Sequence, residues 1–196
     1  MVTSAKKTAS FPVPQDVAMT TALLIIDVQQ ALCSGTGAAH DIERVLQRIN
    51  GLSQLARAAG VPVVLVQHEE PDGDFRYDSD GWQLAEGLLV GEGDARVRKT
   101  TPDSFNGTDL AEVLNELGVD GLVICGLQTD FCVDTTVRSA LAKGYDVTLV
   151  ADAHSTVDNA VLKAEQIVAH HNATFSSMSS FAPRLLVLPA AEVSVR

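Results

Sequence analysis

The segment Ile124-Cys125-Gly126-Leu127-Gln128-Thr129-Asp130-Phe131-Cys132-Val133 passes from an apolar run into a helical pattern within a few residues. The run that enters it, Leu122 to Cys125, is short and unbroken, as suits a strand covered on both faces. The pattern that leaves it runs from about Phe131 to Lys143 and stops at Gly144, a C-terminal signal. A buried strand ending at Gly126 therefore delivers Cys132 into the first turn of a helix. Unpaired backbone N–H groups and the helix dipole there lower a thiol's pKa. The same N–H groups can hold a carbonyl oxygen as it turns tetrahedral.

The alternation continues in both directions. Upstream, Ala22-Leu23-Leu24-Ile25-Ile26 is a second apolar run and ends in Asp27. Ile42, Val45, Leu46, Ile49, Leu52, Leu55 and Ala56 then form one helical stripe closed by Gly60. Val61 to Val66 reads as a strand, with Pro62 tolerable only near its start. Residues 69–94 break the rhythm with turn chemistry (Pro71-Asp72-Gly73-Asp74, Asp78-Ser79-Asp80-Gly81), and a loop that long is usually functional or partly disordered. A strand from Ala95 to Lys99 and a helix from about Thr108 to Leu117 follow. Downstream come a strand at Val147 to Val150, a helix at about Ala160 to His171 and a last strand around Leu185 to Leu188. The pattern predicts a three-layer α/β/α sandwich with a mostly parallel, Rossmann-like open sheet. It forms one domain, residues 19–196, behind an N-terminal arm of residues 1–18.

Bulk properties exclude several classes. The 196 residues are 46% apolar and 20% charged, as in a globular chain with a real core. A net charge of −11 argues against a nucleic-acid partner or an anionic membrane surface. No apolar run approaches the roughly 20 residues of a membrane span. Met1 to Pro14 lacks the apolar run of a signal peptide, and 3 cysteines do not make a disulfide framework. A reducing, cytoplasmic setting is expected.

Open parallel sheets bind ligands at the carboxyl ends of their strands. The polar residues following each apolar run are Asp27, His68, Lys99, the segment from Gly126 to Cys132, and Asp152 with His154. A thiol at a helix start, an ammonium that favours thiolate and a carboxylate that exchanges a proton make a nucleophilic site. Taken singly, Cys132 reads as a small apolar residue, Asp27 as a cap and Lys99 as a surface lysine; only the combination points to chemistry. Cys33 and Cys125 read as structural. Asp152 and His154 read as a helix cap and its neighbour, and His170 and His171 as helix-end residues.

In these pieces the chain resembles the isochorismatase-like superfamily, or cysteine hydrolases. The matching stretches are Leu23-Leu24-Ile25-Ile26-Asp27-Val28-Gln29, Lys99 ahead of Asp103-Ser104-Phe105, and Gly126 to Val133. Asp152-Ala153-His154-Ser155 and His170-His171-Asn172 extend the likeness. The resemblance implies a catalytic triad of Asp27, Lys99 and Cys132 and a non-proline cis peptide joining Leu127 to Gln128. It also implies an oxyanion hole from the backbone N–H groups of Gln128 and Cys132. The expected activity is hydrolysis of a C–N bond, amide or ureide, in a small-molecule substrate through a Cys132 thioester. A homo-oligomer, dimer or tetramer, is implied by the same likeness.

Departures narrow the expectation. The Asp-x-His metal motif of nicotinamidases is absent from Val66-Gln67-His68-Glu69-Glu70-Pro71, so neither a metal nor another cofactor is expected. Gln29, His68 and Trp82 are the candidate pocket residues, with Phe75 and Tyr77 as further material for a substrate wall; Trp82 reads equally as a side chain folded under the loop in a small core of its own, and His68 as a hydrogen-bonded structural residue at a strand end. Vinyl ether hydrolysis of the isochorismatase type and a catalytically inactive binding module remain as alternatives. A dinucleotide-binding site lacks its G-x-G-x-x-G turn after the first strand.

Overall fold

Successive residues of the first apolar run face opposite ways, and both faces are covered. In the computed structural model, which describes residues 20–195, strand β1 (Thr21–Ile26) directs Ala22, Leu24 and Ile26 into one core and Leu23 and Ile25 into another. Burying a side chain of this size contributes about 1.5–3 kcal/mol, which is why no polar residue interrupts the run. The arm expected at 1–18 lies outside the described residues.

Helices α1 (Gln30–Cys33) and α2 (Ile42–Ala58) lead to β2 (Val63–His68), and the long loop then leads to β3 (Ala95–Lys99). Helix α3 (Leu110–Glu116) precedes β4 (Gly121–Leu127), which a π-type turn at Thr129–Val133 joins to α4 (Asp134–Lys143). Strand β5 (Asp146–Ser155), helix α5 (Ala164–Ser176) and strand β6 (Leu185–Leu188) complete the order. The six strands make one sheet in the order β3-β2-β1-β4-β5-β6, every neighbouring pair parallel. Val45, Ile49, Leu52 and Ala56 of α2 cover one face. Leu110 and Leu114 of α3, Val137 and Leu141 of α4 and Phe175 of α5 cover the other. The three-layer sandwich expected from the alternation is the observed fold.

Chain order reverses between β1 and β4, the switch point where such sheets open a crevice. Ile26 lies opposite Gly126 and His68 opposite Lys99, so four strands end close to one level. Gly126 is obligatory: its φ is +120°, and a Cβ there would lie 2.1 Å from the carbonyl oxygen of Ile26.

Two expectations are corrected. Strand β5 does not stop at Val150 but runs to Ser155, because a register shift after Ile124 lets Gly126 pair with His154 and Leu127 with Ser155. Asp152 and His154 are thus strand residues, not a helix start. Helix α5 begins at Ala164, where Gln166 Oε1 accepts from the Lys163 N–H at 3.0 Å and Asp158 caps Ala164. His170 and His171 consequently lie inside the helix, which continues to Ser176. Within the loop at 69–94, Trp82, Ala85 and Leu88 are buried, which gives this irregular stretch an apolar anchorage of its own.

Candidate active site

Asp27 leaves β1 in the left-handed region, at φ +50°. Its N–H donates to the Val66 carbonyl at 2.9 Å, and its own carbonyl accepts from the Gln29 N–H at 2.8 Å. A non-glycine residue held there costs about 1–3 kcal/mol, and Asp is one of the few types that tolerate it. Gln29 fixes the turn. Its buried amide donates to the carbonyls of His68 and Trp82, both at 2.9 Å, and accepts from the His68 N–H at 2.8 Å. This ties the end of β1 to the end of β2 and to the long loop.

The Lys99 side chain has no exposed surface, and its ammonium lies 2.7 Å from Asp27 Oδ2 and 3.1 Å from Cys132 Sγ. A third contact, at 3.5 Å, is to His68 Nδ1, whose Nε2 lies 3.3 Å from Glu70 Oε1. A hydrogen on Nε2, with Nδ1 as acceptor from Lys99, suits both contacts. A carboxylate from β1, an ammonium from β3 and a thiol from the turn after β4 therefore meet in space. Asp27 and Cys132, 105 positions apart in sequence, are brought together by the sheet order.

The resting thiol differs from the expectation. Burial, and then the carboxylate of Asp27, push the Cys132 thiol up to about 12, against a smaller downward pull from Lys99. The loss of solvent around the sulfur outweighs the pull of the ammonium that favours thiolate. Burial and the neighbouring Asp27 carboxylate both favour the protonated thiol.

The turn carrying Cys132 is braced from behind. The peptide between Leu127 and Gln128 is cis. The Gln128 carbonyl accepts from the N–H groups of Phe131 and Val133 at 3.2 and 3.1 Å, folding the segment around Cys132. Thr129 Oγ1 lies 2.9 Å from Nδ1 of the buried His154, and His154 Nε2 lies 3.0 Å from Asn172 Oδ1 on α5. Thr156 donates to Asp130 Oδ1 at 2.6 Å. His154 is held neutral: burial pulls its pKa from 6.5 to about 4.

In front of the sulfur is a cavity of about 210 Å³. Leu32, Phe75, Pro102 and Phe131 give it apolar walls, and Asp27, His68, Glu70, Gln128 and Cys132 its polar points. Of the expected pocket residues the structure places His68 here, with Phe75 from the long loop. Gln29 and Trp82 do not line it. Gln29 is fully buried in its hydrogen bonds, and Trp82 is 9% exposed with its ring edge-on to Tyr77 at 4.8 Å. Glu70, Leu32 and Phe131 escaped the sequence reading. Their signal was position, since Glu70 lies two residues beyond His68 and Phe131 adjoins Cys132. Among the described residues no three His, Cys, Asp or Glu side chains group as a metal set.

The family model described as Isochorismatase domain matches residues 21–183. A streptothricin hydrolase of Streptomyces noursei is 41% identical over 138 residues, 70% of this chain and 55% of that protein. The match thus spans about half the length of this relative and of a second streptothricin hydrolase. The ureidoacrylate amidohydrolase RutB of Caulobacter vibrioides is 29% identical over 191 residues, 78% of this chain and 84% of its own. Among solved structures, an isochorismatase of Pseudomonas putida KT2440 superimposes with a TM-score of 0.81 at 32% identity, covering 93% of this chain and 94% of the other.

Proposed function

The chain belongs to the isochorismatase family, and on that premise we propose that it hydrolyses a C–N bond, amide or ureide, of a small molecule through a thioester on Cys132. The observation that carries this reading is the Lys99 ammonium set between Asp27 Oδ2 at 2.7 Å and Cys132 Sγ at 3.1 Å, beside the cavity. Relatives that are a streptothricin hydrolase and a ureidoacrylate amidohydrolase support hydrolysis, and the second supports an amide-type bond.

In the proposed reaction Cys132 Sγ attacks the substrate carbonyl carbon as its proton passes to Asp27. Burial and Asp27 raise the pKa of the thiol, which favours proton loss to Asp27 together with attack. The backbone N–H groups of Gln128 and Cys132 take the oxyanion. Asp27 then gives its proton to the leaving nitrogen as the C–N bond breaks. Water, deprotonated by Asp27, attacks the thioester carbonyl; the C–S bond breaks, the acid product leaves, and the proton held by Asp27 returns to the Cys132 sulfur. Lys99 stays protonated and offsets the negative charge moving between sulfur and carboxylate. A cytoplasmic homo-oligomer acting without a metal is part of the same proposal.

The test is a screen of small amides and ureides for amine or ammonia release by the parent protein and by Cys132→Ala. Loss of the thiol lowers turnover by about 1000-fold or more. Turnover that survives Cys132→Ala overturns the covalent route.

A further inference from the structure

Among the described residues, the carboxylates lining the cavity are Asp27, which pairs with Lys99 behind it, and Glu70, which has no such buried cation beside it. Its side chain is half-exposed and shares a contact with His68 Nε2 at 3.3 Å. Two neighbouring cations are engaged elsewhere: Arg96 donates to Gln67 Oε1 at 3.3 Å, and Arg98 lies 3.5 Å from Glu69 and 4.5 Å over the Tyr77 ring. Arg76, whose backbone forms a β-bridge with that of Glu70, is exposed and does not line the cavity. Two phenylalanines complete the picture: Phe75 lines the wall, and Phe131 lines it while 54% exposed. A carboxylate beside aromatic faces attracts a cation twice, by its charge and by the ring quadrupoles. For an anion the same walls offer no counter-charge, so a substrate carboxylate entering here gives up its water shell without a partner.

Resting on the amide-hydrolase reading, we infer that the substrate carries a cationic group, ammonium or guanidinium in kind, that sits between Glu70 and the rings of Phe75 and Phe131. A substrate carboxylate is excluded from this cavity. Glu70 is thus a specificity-determining residue that takes no part in bond cleavage.

The preference is measured without any turnover, by modification of the Cys132 thiol with two methanethiosulfonates of similar size. One carries a trimethylammonioethyl group and the other a sulfonatoethyl group. Each forms a disulfide with Cys132 and releases methanesulfinate, and the rate is followed as the mass of the Cys132 peptide. Dividing by the rate with free 2-mercaptoethanol removes intrinsic reactivity. The parent protein is expected to favour the cationic reagent by about tenfold, the effect of one carboxylate on opposite unit charges in a partly wet site. Glu70→Gln reduces that ratio by about threefold or more, and Glu70→Lys reverses it. Equal normalised rates in the parent, or a ratio untouched by Glu70→Gln, overturn the inference. Failure to hydrolyse any amide bears on the underlying reading instead, because the thiol assay needs no hydrolysis.

Discussion

At the residue scale, the centre of the molecule is an ion pair that would be costly anywhere else. Asp27 and Lys99 have side-chain exposures of 1% and 0%. Removing one partner of such a pair leaves an uncompensated buried charge, at a cost of about 3–5 kcal/mol, whereas removing both is often tolerated. Lys99→Met is therefore expected to lower stability in urea more than the double replacement Asp27→Asn with Lys99→Met, although neither protein turns over substrate. A double variant at least as unstable as Lys99→Met denies the coupling. Cys132 belongs to the same unit. Its raised pKa reflects burial first and Asp27 second, so the thiol is an acid waiting for substrate and not a standing thiolate. The sequence places Asp27 and Lys99 at strand ends and Cys132 in the first turn of the helix that follows one, but the solvent around the sulfur is not readable from it. Whether an N–H-rich turn lowers a thiol's pKa depends on how much water the turn admits.

At the scale of elements, the site depends on the join between β4 and α4. Gly126 approaches β1 so closely that only a hydrogen fits on its Cα. Gly126→Ala is expected to cost about 3 kcal/mol or more and to lower the thermal midpoint clearly, by clash with Ile26 and by its left-handed φ. A variant as stable as the parent means the strands do not approach as described. These elements also show where sequence reading works and where it stops. The runs at Ala22–Ile26 and Leu122–Cys125 are legible because a strand covered on both faces tolerates no polar residue. The second half of β5 was not, because Ala151-Asp152-Ala153-His154 carries polar side chains whose partners are remote. Asp152 pairs with Arg48 at 3.0 Å and caps Ala190, and His154 reaches Thr129 and Asn172. Gln29 and Trp82 resemble pocket residues in the sequence for a similar reason. Polar or aromatic character near a strand end does not distinguish a wall from the brace behind it.

At the scale of the whole molecule, acid sensitivity should follow from His154, which links the site-bearing turn to β5 and α5. Its pKa in the folded state, about 4, lies below the ordinary 6.5 because burial disfavours the charged ring. The unfolded chain therefore binds the proton first, so stability is fully present above pH 6.5 and is lost as pH falls towards 4. The shift corresponds to about 3 kcal/mol. Urea midpoints should drop between neutral pH and pH 4, and His154→Gln should flatten that dependence, whereas an equal slope in both proteins contradicts it. The same global arrangement, three strand ends meeting at the switch point, is what makes a triad from residues so far apart in sequence. Its most direct test is the rate of Cys132 alkylation by iodoacetamide against pH, in the parent, in Asp27→Asn and in Lys99→Ala. The account predicts a parent rate that keeps climbing past the ordinary thiol value of 9.0, a rise displaced to lower pH in Asp27→Asn, and one displaced to higher pH in Lys99→Ala. A parent plateau below that value, or a profile that neither substitution moves, would contradict it.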